Sequence, residues 1–338
     1  MRIAVFGLGF MGSTHLKALR SIPTAQLAAV VSSDPKKLDG DLSGIQGNLG
    51  GPGEKMDFSG AARYRSVEEA LRDPSIEAVD ICLPTSQHAP VALEALRAGK
   101  HVLVEKPMAL DGAGADRMLA EAEKQQRILM AAQVLRFFPE YEAMAGTVKS
   151  GELGAARSAM FRRRCAAPAW SKWLKDSTQS GGGVFDLLIH DVDFCLLLFG
   201  PPAAVRAAGY EDMGRGIDWI SAHLEYPGGP AVAVTGGWHH PKAYPFSMEF
   251  TVVSDGGTLE YSSAGRPLTL YQADGEERAM ELRQQDGYQA EIEYFLDCAS
   301  AGRKPEKCAA AESAAAVKVT LAMVESRNRK GERIECKL

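Results

Sequence analysis

Residues 2–12 read RIAVFGLGFMG, and the fold of the N-terminal half follows from them. Arg2 to Phe6 is a short β-branched, apolar run. Gly7-Leu8-Gly9-Phe10-Met11-Gly12 follows it and fits GxGxxG, and a helix-like stretch from about Ser13 to Arg20 comes next, closed off by Pro23. A lone GxGxxG is a weak signal, but one that joins a strand to a helix is a strong one. In that setting Gly7 allows the tight turn, Gly9 lets backbone approach a pyrophosphate, Gly12 lets helix and strand pack closely, and the helix N–H groups face the anion. Gln26 to Ser32 (QLAAVVS) is apolar almost throughout rather than alternating, which predicts a strand covered on both faces and completes a parallel βαβ unit.

The same rhythm continues along the chain. Val67 to Leu71 predicts a short helix, Ala78 to Leu83 a strand, Gln87 to Ala98 a helix capped by Ser86 and stopped at Gly99, and His101 to Val104 the next strand. A polar helix from about Gly112 to Gln126 leads into an apolar strand over Ile128 to Val134. Asp39 to Ala62 has many glycines and turn residues and no hydrophobic period, so it reads as a mobile surface insertion without chemistry.

At RFFPEY (136–141) the strand and helix alternation stops, which puts a domain boundary between 134 and 135. The second domain, 135–338, opens with a short helix and a strand near Ala156 to Cys165. A loop containing Trp170 and Trp173, the GGG at 181–183 and a long helix over Val184 to Phe199 follow. Beyond Pro202, extended segments separated by turn clusters predict a largely antiparallel open sheet, and helices over about Tyr288 to Ala301 and Ala309 to Asn328 end the chain. The fold class is α/β: a doubly wound parallel sheet followed by an α+β domain.

A length of 338 residues fits two domains at about 100 to 200 residues each. The net charge of -5 gives no long-range attraction to nucleic acid or anionic lipid, so neither is an expected partner. The longest apolar stretch, Phe194 to Phe199, is far short of the roughly 18 residues that cross a bilayer, and no export signal is evident, so the chain is read as cytoplasmic. The six cysteines are scattered without a CxxC pair or a zinc-ligand spacing, and read as reduced packing residues.

An acidic residue about 20 positions beyond the glycine loop binds the ribose of NAD. Here that position is Ser32, followed by Ser33, Asp34 before Pro35, and Lys36 and Lys37. Asp34 is a ribose ligand or a turn or helix-cap residue. A carboxylate about 4 Å from a 2'-phosphate would cost on the order of 1 to 4 kcal/mol. Ser32 imposes no such penalty, and with Ser33 and Lys37 it leans the expectation to NADP(H) over NAD(H).

Glu105-Lys106-Pro107 lies at the carboxyl end of a strand, where open α/β sheets place ligands, so Lys106 is expected to point into the cleft. Asp186 and His190 lie four apart on the helix after the triple glycine and share one side of it, with Asp193 one turn further on. Apolar residues cover the rest of that helix, so its polar stripe must face water, a partner group or a cleft. His190 titrates near neutrality and suits proton transfer with an alcohol. HDVD (190–193) is no metal site, because neighbouring helical residues point about 100° apart and no second cluster completes a shell.

With CLPTSQH (82–88), EKP (105–107), GGGVFDLLIHDVD (181–193) and EIEYFLDCASAGRKP (291–305) added to the glycine loop, the chain resembles the glucose-fructose oxidoreductase, inositol dehydrogenase and MocA (Gfo/Idh/MocA) family over nearly its whole length. The resemblance implies a Rossmann domain that binds the dinucleotide through Gly7, Gly9, Phe10, Met11, Gly12, Ser32, Ser33 and Lys37. It also implies a second group, Leu83, Pro84, Thr85, His88, Glu105 and Lys106, lining the nicotinamide and ribose. Lys106 would orient a substrate hydroxyl, His190 would be general base in oxidation and general acid in reduction, and Asp186 would bind substrate and tune His190.

Family substrates are mostly sugars, polyols and their derivatives. Trp173, His239, His240 and Tyr244 fall near family substrate loops. Arg162 and Arg164 share one face of their strand and Arg163 the other, so part of the run either contacts an anionic substrate or lies on a solvated face. The resemblance further implies a homodimer or homotetramer through the C-terminal sheet. The expected activity is an NAD(P)-dependent oxidoreductase acting on a carbohydrate-like CH–OH group. The alternatives are a non-catalytic dinucleotide or sugar sensor, and a glycosidase that uses bound NAD transiently.

Overall fold

The computed structural model describes residues 1–47, 53–168 and 171–338. The first elements in chain order are β1 (Arg2–Phe6), α1 (Phe10–Leu19), β2 (Gln26–Val31), α2 (Pro35–Leu38), β3 (Ala62–Tyr64), α3 (Val67–Leu71), β4 (Ala78–Ile81), α4 (Thr85–Arg97), β5 (His101–Glu105), α5 (Gly112–Gln125) and β6 (Leu129–Ala132). After these come α6 (Pro139–Ser150), β7 (Ala156–Cys165), α7 (Ser177–Ser180), α8 (Gly183–Phe199), β8 (Ala204–Asp212), β9 (Ile217–Glu225), β10 (Ala231–Trp238) and β11 (Ser247–Ser254). The chain closes with β12 (Gly257–Ser262), β13 (Arg266–Gln272), β14 (Glu277–Ala279), α9 (Gly287–Ser300), α10 (Ala310–Asn328) and β15 (Ile334–Glu335).

These form two units. One comprises Met1–Val134 and Asp286–Ala314, the other Leu135–Gln285 and Ala315–Leu338. A division at 134/135 alone is therefore corrected: α9 and the start of α10 return to the first unit, which a reading confined to neighbouring residues could not show.

The first unit holds a parallel sheet in the order β3-β2-β1-β4-β5-β6. Strands β1, β4 and β6 are buried along almost their whole length and largely apolar, as strands covered on both faces must be. Strand order reverses between β1 and β4, which is where doubly wound sheets bind ligands.

Residues 39–62 depart from expectation. Leu42, Met56 and Phe58 are buried, Met56 N–H donates to the Gly40 carbonyl at 2.8 Å, and Glu54 pairs with Arg20 of α1 at 2.6 Å. The described part of this segment is thus anchored to the unit. Its apolar residues act as single plugs rather than as the face of an element, which is why they show no period. Residues 48–52 and Trp170 lie outside the described residues.

The second unit holds a sheet in the order β14-β13-β12-β11-β7-β10-β9-β8-β15, antiparallel except for the β7–β10 pair. Helix α8 packs on β10, β9 and β7. Along β7, β9 and β11, buried and more exposed residues alternate, so one face meets α8 and the other stays open. No helix among the described residues is long and apolar enough to cross a membrane.

Candidate functional site

In the first unit the turn after β1 is built by glycines with distinct constraints. Gly7 has φ of +96°, and a Cβ there would lie 2.6 Å from the Cys82 carbonyl oxygen; a Cβ on Gly12 would overlap the Gly7 carbonyl itself. Among the described residues nothing lies within 4 Å of where a Gly9 Cβ would sit, and Gly9 is the N-cap of α1 without a side chain to cap the helix. Packing therefore demands glycine at 7 and 12, whereas at 9 glycine leaves open space at a helix N-terminus. A pyrophosphate fits that space, with backbone N–H groups and the positive end of the helix dipole beside it. The Phe10 ring, at the start of α1, lies directly against Gly47 of the 39–62 segment, and Met11 lies in the first turn of the helix.

Beyond β2, Ser32 Oγ accepts the Asp34 N–H at 3.2 Å, and Asp34 Oδ1 accepts the Lys36 N–H at 2.9 Å as N-cap of α2. Of the two roles open to Asp34 from sequence, the structure shows the cap. Ser33 is exposed and Lys37 half-buried on α2.

After β4, Leu83 and Pro84 lead into α4. The helix begins at Thr85 with Pro84 as a cap that makes no side-chain bond, so the expected Ser86 cap is corrected to an earlier start. His88 is buried, its Nδ1 2.7 Å from the Pro107 carbonyl oxygen and its Nε2 2.7 Å from that of Leu83. Burial lowers its pKa, with the two carbonyls pulling the other way. Its ring nitrogens tie the segment after β4 to the one that carries Lys106. Glu105 closes β5 and is buried, its Oε2 accepting the Lys106 N–H at 3.0 Å, while Lys106 itself is half-buried.

In the second unit, Gly181 and Gly182 have φ of +81° and +95°, and a Cβ on Gly183 would enter the Trp238 indole. Asp218 of β9 accepts the Val184 N–H at 2.8 Å, so a carboxylate from another strand caps the start of α8. Asp186 and His190 are both half-buried, flanked by buried residues on the turns between them.

Asp193 does not continue their stripe. It is buried, receiving Arg136 Nε and Nη2 at 2.7 Å each, and Asp191 likewise receives Arg163 Nε at 2.8 Å and Nη2 at 2.9 Å. The two aspartates of HDVD are thus neutralised by buried arginines. Sequence reasoning missed these pairs, although charges inside so apolar a helix were a signal that counter-ions must exist.

The expected substrate residues fall on two sides of the sheet. Trp173 packs with Cys165, Leu174, Leu187 and Trp238 on the α8 side. Arg162 and Arg164 both pair with Glu249 on the open side. There His240 stacks on Tyr244 with centroids 3.7 Å apart, His239 lies 3.9 Å from His240, and Arg164 sits 5.6 Å over the Tyr244 ring. Strand alternation separates this group from Asp186 and His190 within one chain.

A further buried cluster lies in the first unit, where His15 of α1 faces Asp80 of β4 at 2.8 Å and Glu105 at 3.1 Å. Its signal in the sequence was a histidine on the buried side of α1, three residues past the last glycine of the loop.

Comparison with known proteins agrees with this architecture. A GFO/IDH/MocA model, described as an oxidoreductase family with an NAD-binding Rossmann fold, matches residues 1–133, and the GFO/IDH/MocA C-terminal domain matches residues 141–260. A trans-1,2-dihydrobenzene-1,2-diol dehydrogenase of Mus musculus is 31% identical over 236 residues, 68% of this chain and 66% of that protein. A myo-inositol 2-dehydrogenase of Thermotoga maritima is 31% identical over 201 residues, 59% of this chain and 55% of its own. The matches thus span just under two thirds of the first relative and little more than half of the second. An aldose-aldose oxidoreductase from Caulobacter crescentus superposes with a TM-score of 0.83 at 24% identity, covering 99% of both chains, which establishes the shared fold.

Proposed function

The chain belongs to the Gfo/Idh/MocA oxidoreductase family, and from that premise we propose that it is an NAD(P)-dependent dehydrogenase or reductase acting on a CH–OH group of a sugar, polyol or cyclic diol. The observation that carries the proposal is the glycine loop, where among the described residues space is left open at Gly9 and filled by packing at Gly7 and Gly12. The activities for which these relatives are named, on an inositol and on a dihydrodiol, support the substrate class.

When bound, the nicotinamide supplies the acceptor or donor of the hydride exchanged with the substrate carbon. The chain's residues handle the proton and the alignment. Lys106 orients the reacting hydroxyl, His190 Nε2 takes its proton in oxidation and returns it in reduction, and Asp186, one turn earlier, holds substrate and supports the imidazolium. Ser32 and Ser33 present no carboxylate to a 2'-phosphate, Asp34 is engaged in capping α2, and Lys37 stands beside them, which supports NADP(H) as the preferred cofactor. Met160, Tyr210 and Val253 are exposed apolar residues on the open sheet face, and they support homo-oligomerisation through it.

The test is to follow nicotinamide absorbance over a panel of polyols, aldoses and cyclic diols with each cofactor. Turnover with net cofactor change is expected, lost in His190→Asn and Lys106→Ala while folding is retained. Tightly held nucleotide with hydrolysis and no net redox change would replace this reading, and so would nucleotide binding without any turnover.

A further inference from the structure

We infer that His15 is a positioning residue for Lys106, acting through Glu105 across a buried carboxylate–imidazole–carboxylate chain; the inference rests on the role proposed above for Lys106. His15 is fully buried on α1, the helix that the glycine loop opens. Its Nδ1 lies 2.8 Å from Asp80 Oδ2 and its Nε2 3.1 Å from Glu105 Oε1, with both carboxylates buried.

Two carboxylates in such a place cost several kcal/mol each unless a cation compensates them. Among the described residues, the imidazole of His15 pairs with both carboxylates, and as an imidazolium it would offset part of their charge. Burial opposes that charge, but the field of Asp80 and its hydrogen bond hold the His15 pKa well above its ordinary value. Glu105 then uses its other oxygen, Oε2, to accept the Lys106 N–H at 3.0 Å. The chain of contacts runs from α1 through the ends of β4 and β5, adjacent strands of the sheet, to the backbone of Lys106.

His15, Asp80 and Cys82 also form a group whose potential ligand atoms lie within 4.8 Å of one another. A metal there would have to displace the proton shared by His15 and Asp80 and leave Glu105 facing a neutral ring. With one hydrogen bond to Asp80 and one ion pair to Glu105, the ring faces both carboxylates without one, and the group keeps a single net negative charge. Its consequence is mechanical: a shift of α1 when a dinucleotide docks on the glycine loop is passed to the segment that carries Lys106. A staple that merely held helix to sheet would not need the bond from Glu105 to Lys106.

The test uses the full-length protein with carbon-13-methylated lysines, the Lys106 signal being identified by its loss in Lys106→Arg. In the unaltered protein, adding NADP+ or NAD+ shifts this signal. In His15→Gln the signal moves before nucleotide is added, and the nucleotide-induced shift shrinks. Loss of a buried imidazole can unfold the chain, so Glu105→Gln is the second variant. It retains an oxygen to accept the Lys106 N–H and loses only the charge facing His15, so it is expected to fold and to show a smaller change of the same kind.

A Lys106 signal in either folded variant that coincides with the unaltered protein's, with and without nucleotide, overturns the inference; so does unfolding of Glu105→Gln. In turnover of myo-inositol or another panel substrate, kcat of His15→Gln is expected to fall between about ten- and a hundredfold with KM and nucleotide affinity unchanged. Normal turnover in Lys106→Ala would instead sink the proposed function, and the nuclear resonance measurement would still judge the relay.

Discussion

The parallel sheet of the first unit and the open sheet of the second bury their residues in opposite ways. In β4 and β6 every residue is buried, and all but Asp80 are apolar. In β7 the buried residues are Ala159, Phe161, Arg163 and Cys165, with Met160, Arg162 and Arg164 between them on the other face. The difference also governs where charge can go. In the first unit, buried charge gathers at strand ends, around His15, Asp80 and Glu105. In the second it lies under a helix, as the Arg136–Asp193 and Arg163–Asp191 pairs. A sheet covered on both faces has room for polar groups only at its ends, whereas a sheet covered on one face can receive arginines from its strand and helix on that side.

The sharpest way to break this comparison is to place the same charge in both sheets. Val79→Lys, on fully buried β4, is expected to destabilise by more than about 4 kcal/mol and to prevent folding, whereas Met160→Lys on the open face changes the stability of the monomer by less than about 0.5 kcal/mol. Chemical denaturation and soluble yield read both, and similar losses in the two would refute the one-sided character of the second sheet. Asp193→Ala, which removes the carboxylate that receives two hydrogen bonds from the buried Arg136, is expected to lose about 3 to 5 kcal/mol in the same measurement. A loss comparable to that of a surface pair, below about 1 kcal/mol, would mean that water reaches the arginine.

Within the first unit, Gly12→Ala is expected to cost about 1 to 3 kcal/mol because its Cβ meets the Gly7 carbonyl. Gly9→Ala should leave the unfolding midpoint in place and weaken only dinucleotide binding, as read by titration. Equal affinity in Gly9→Ala and the unaltered protein would remove Gly9 from the cofactor site.

The smallest effect is that of pH. Burial lowers the pKa of His239 and His240, helped for His239 by His240 and for both by Arg164. Folded molecules therefore bind fewer protons than unfolded ones just below the ordinary value of 6.5, so this contribution to stability is present above that pH and lost as pH falls through the depressed values. His15 works in the opposite sense, stabilising fully at acid pH and losing its contribution as pH rises through its raised value. Unfolding midpoints should fall on acidification, and less so in His240→Gln; an unchanged slope in that variant would show that the open-face histidines titrate normally.

Much of the fold was legible because it rests on local chemistry. Gly7 to Gly12 between a strand and a helix specify the turn, and unbroken apolar runs such as ILMAA (128–132) announce burial on both sides. That Asp186 and His190 share one helix was legible too, since four residues on a helix is a fixed geometry. Asp193 was misjudged by the same periodicity, because spacing says which side a residue takes and nothing about the arginine that meets it. The 39–62 segment was misjudged because isolated plugs such as Leu42 and Phe58 leave no pattern.

By itself the sequence determined the doubly wound sheet, the place of the glycine loop and the helix that presents Asp186 and His190, all of which depend on residues within a few positions of one another. Only the tertiary structure decided that Asp34 caps a helix, that His88 is held by two carbonyls, and that the open-face rings lie across the sheet from α8. It alone brought His15 to Asp80 and Glu105, which are 65 and 90 residues away in the chain. The physical reason is common to all of these. A polar group's role is set by the partner that compensates it on burial, and such partners come from segments whose separation in sequence carries no periodic signal.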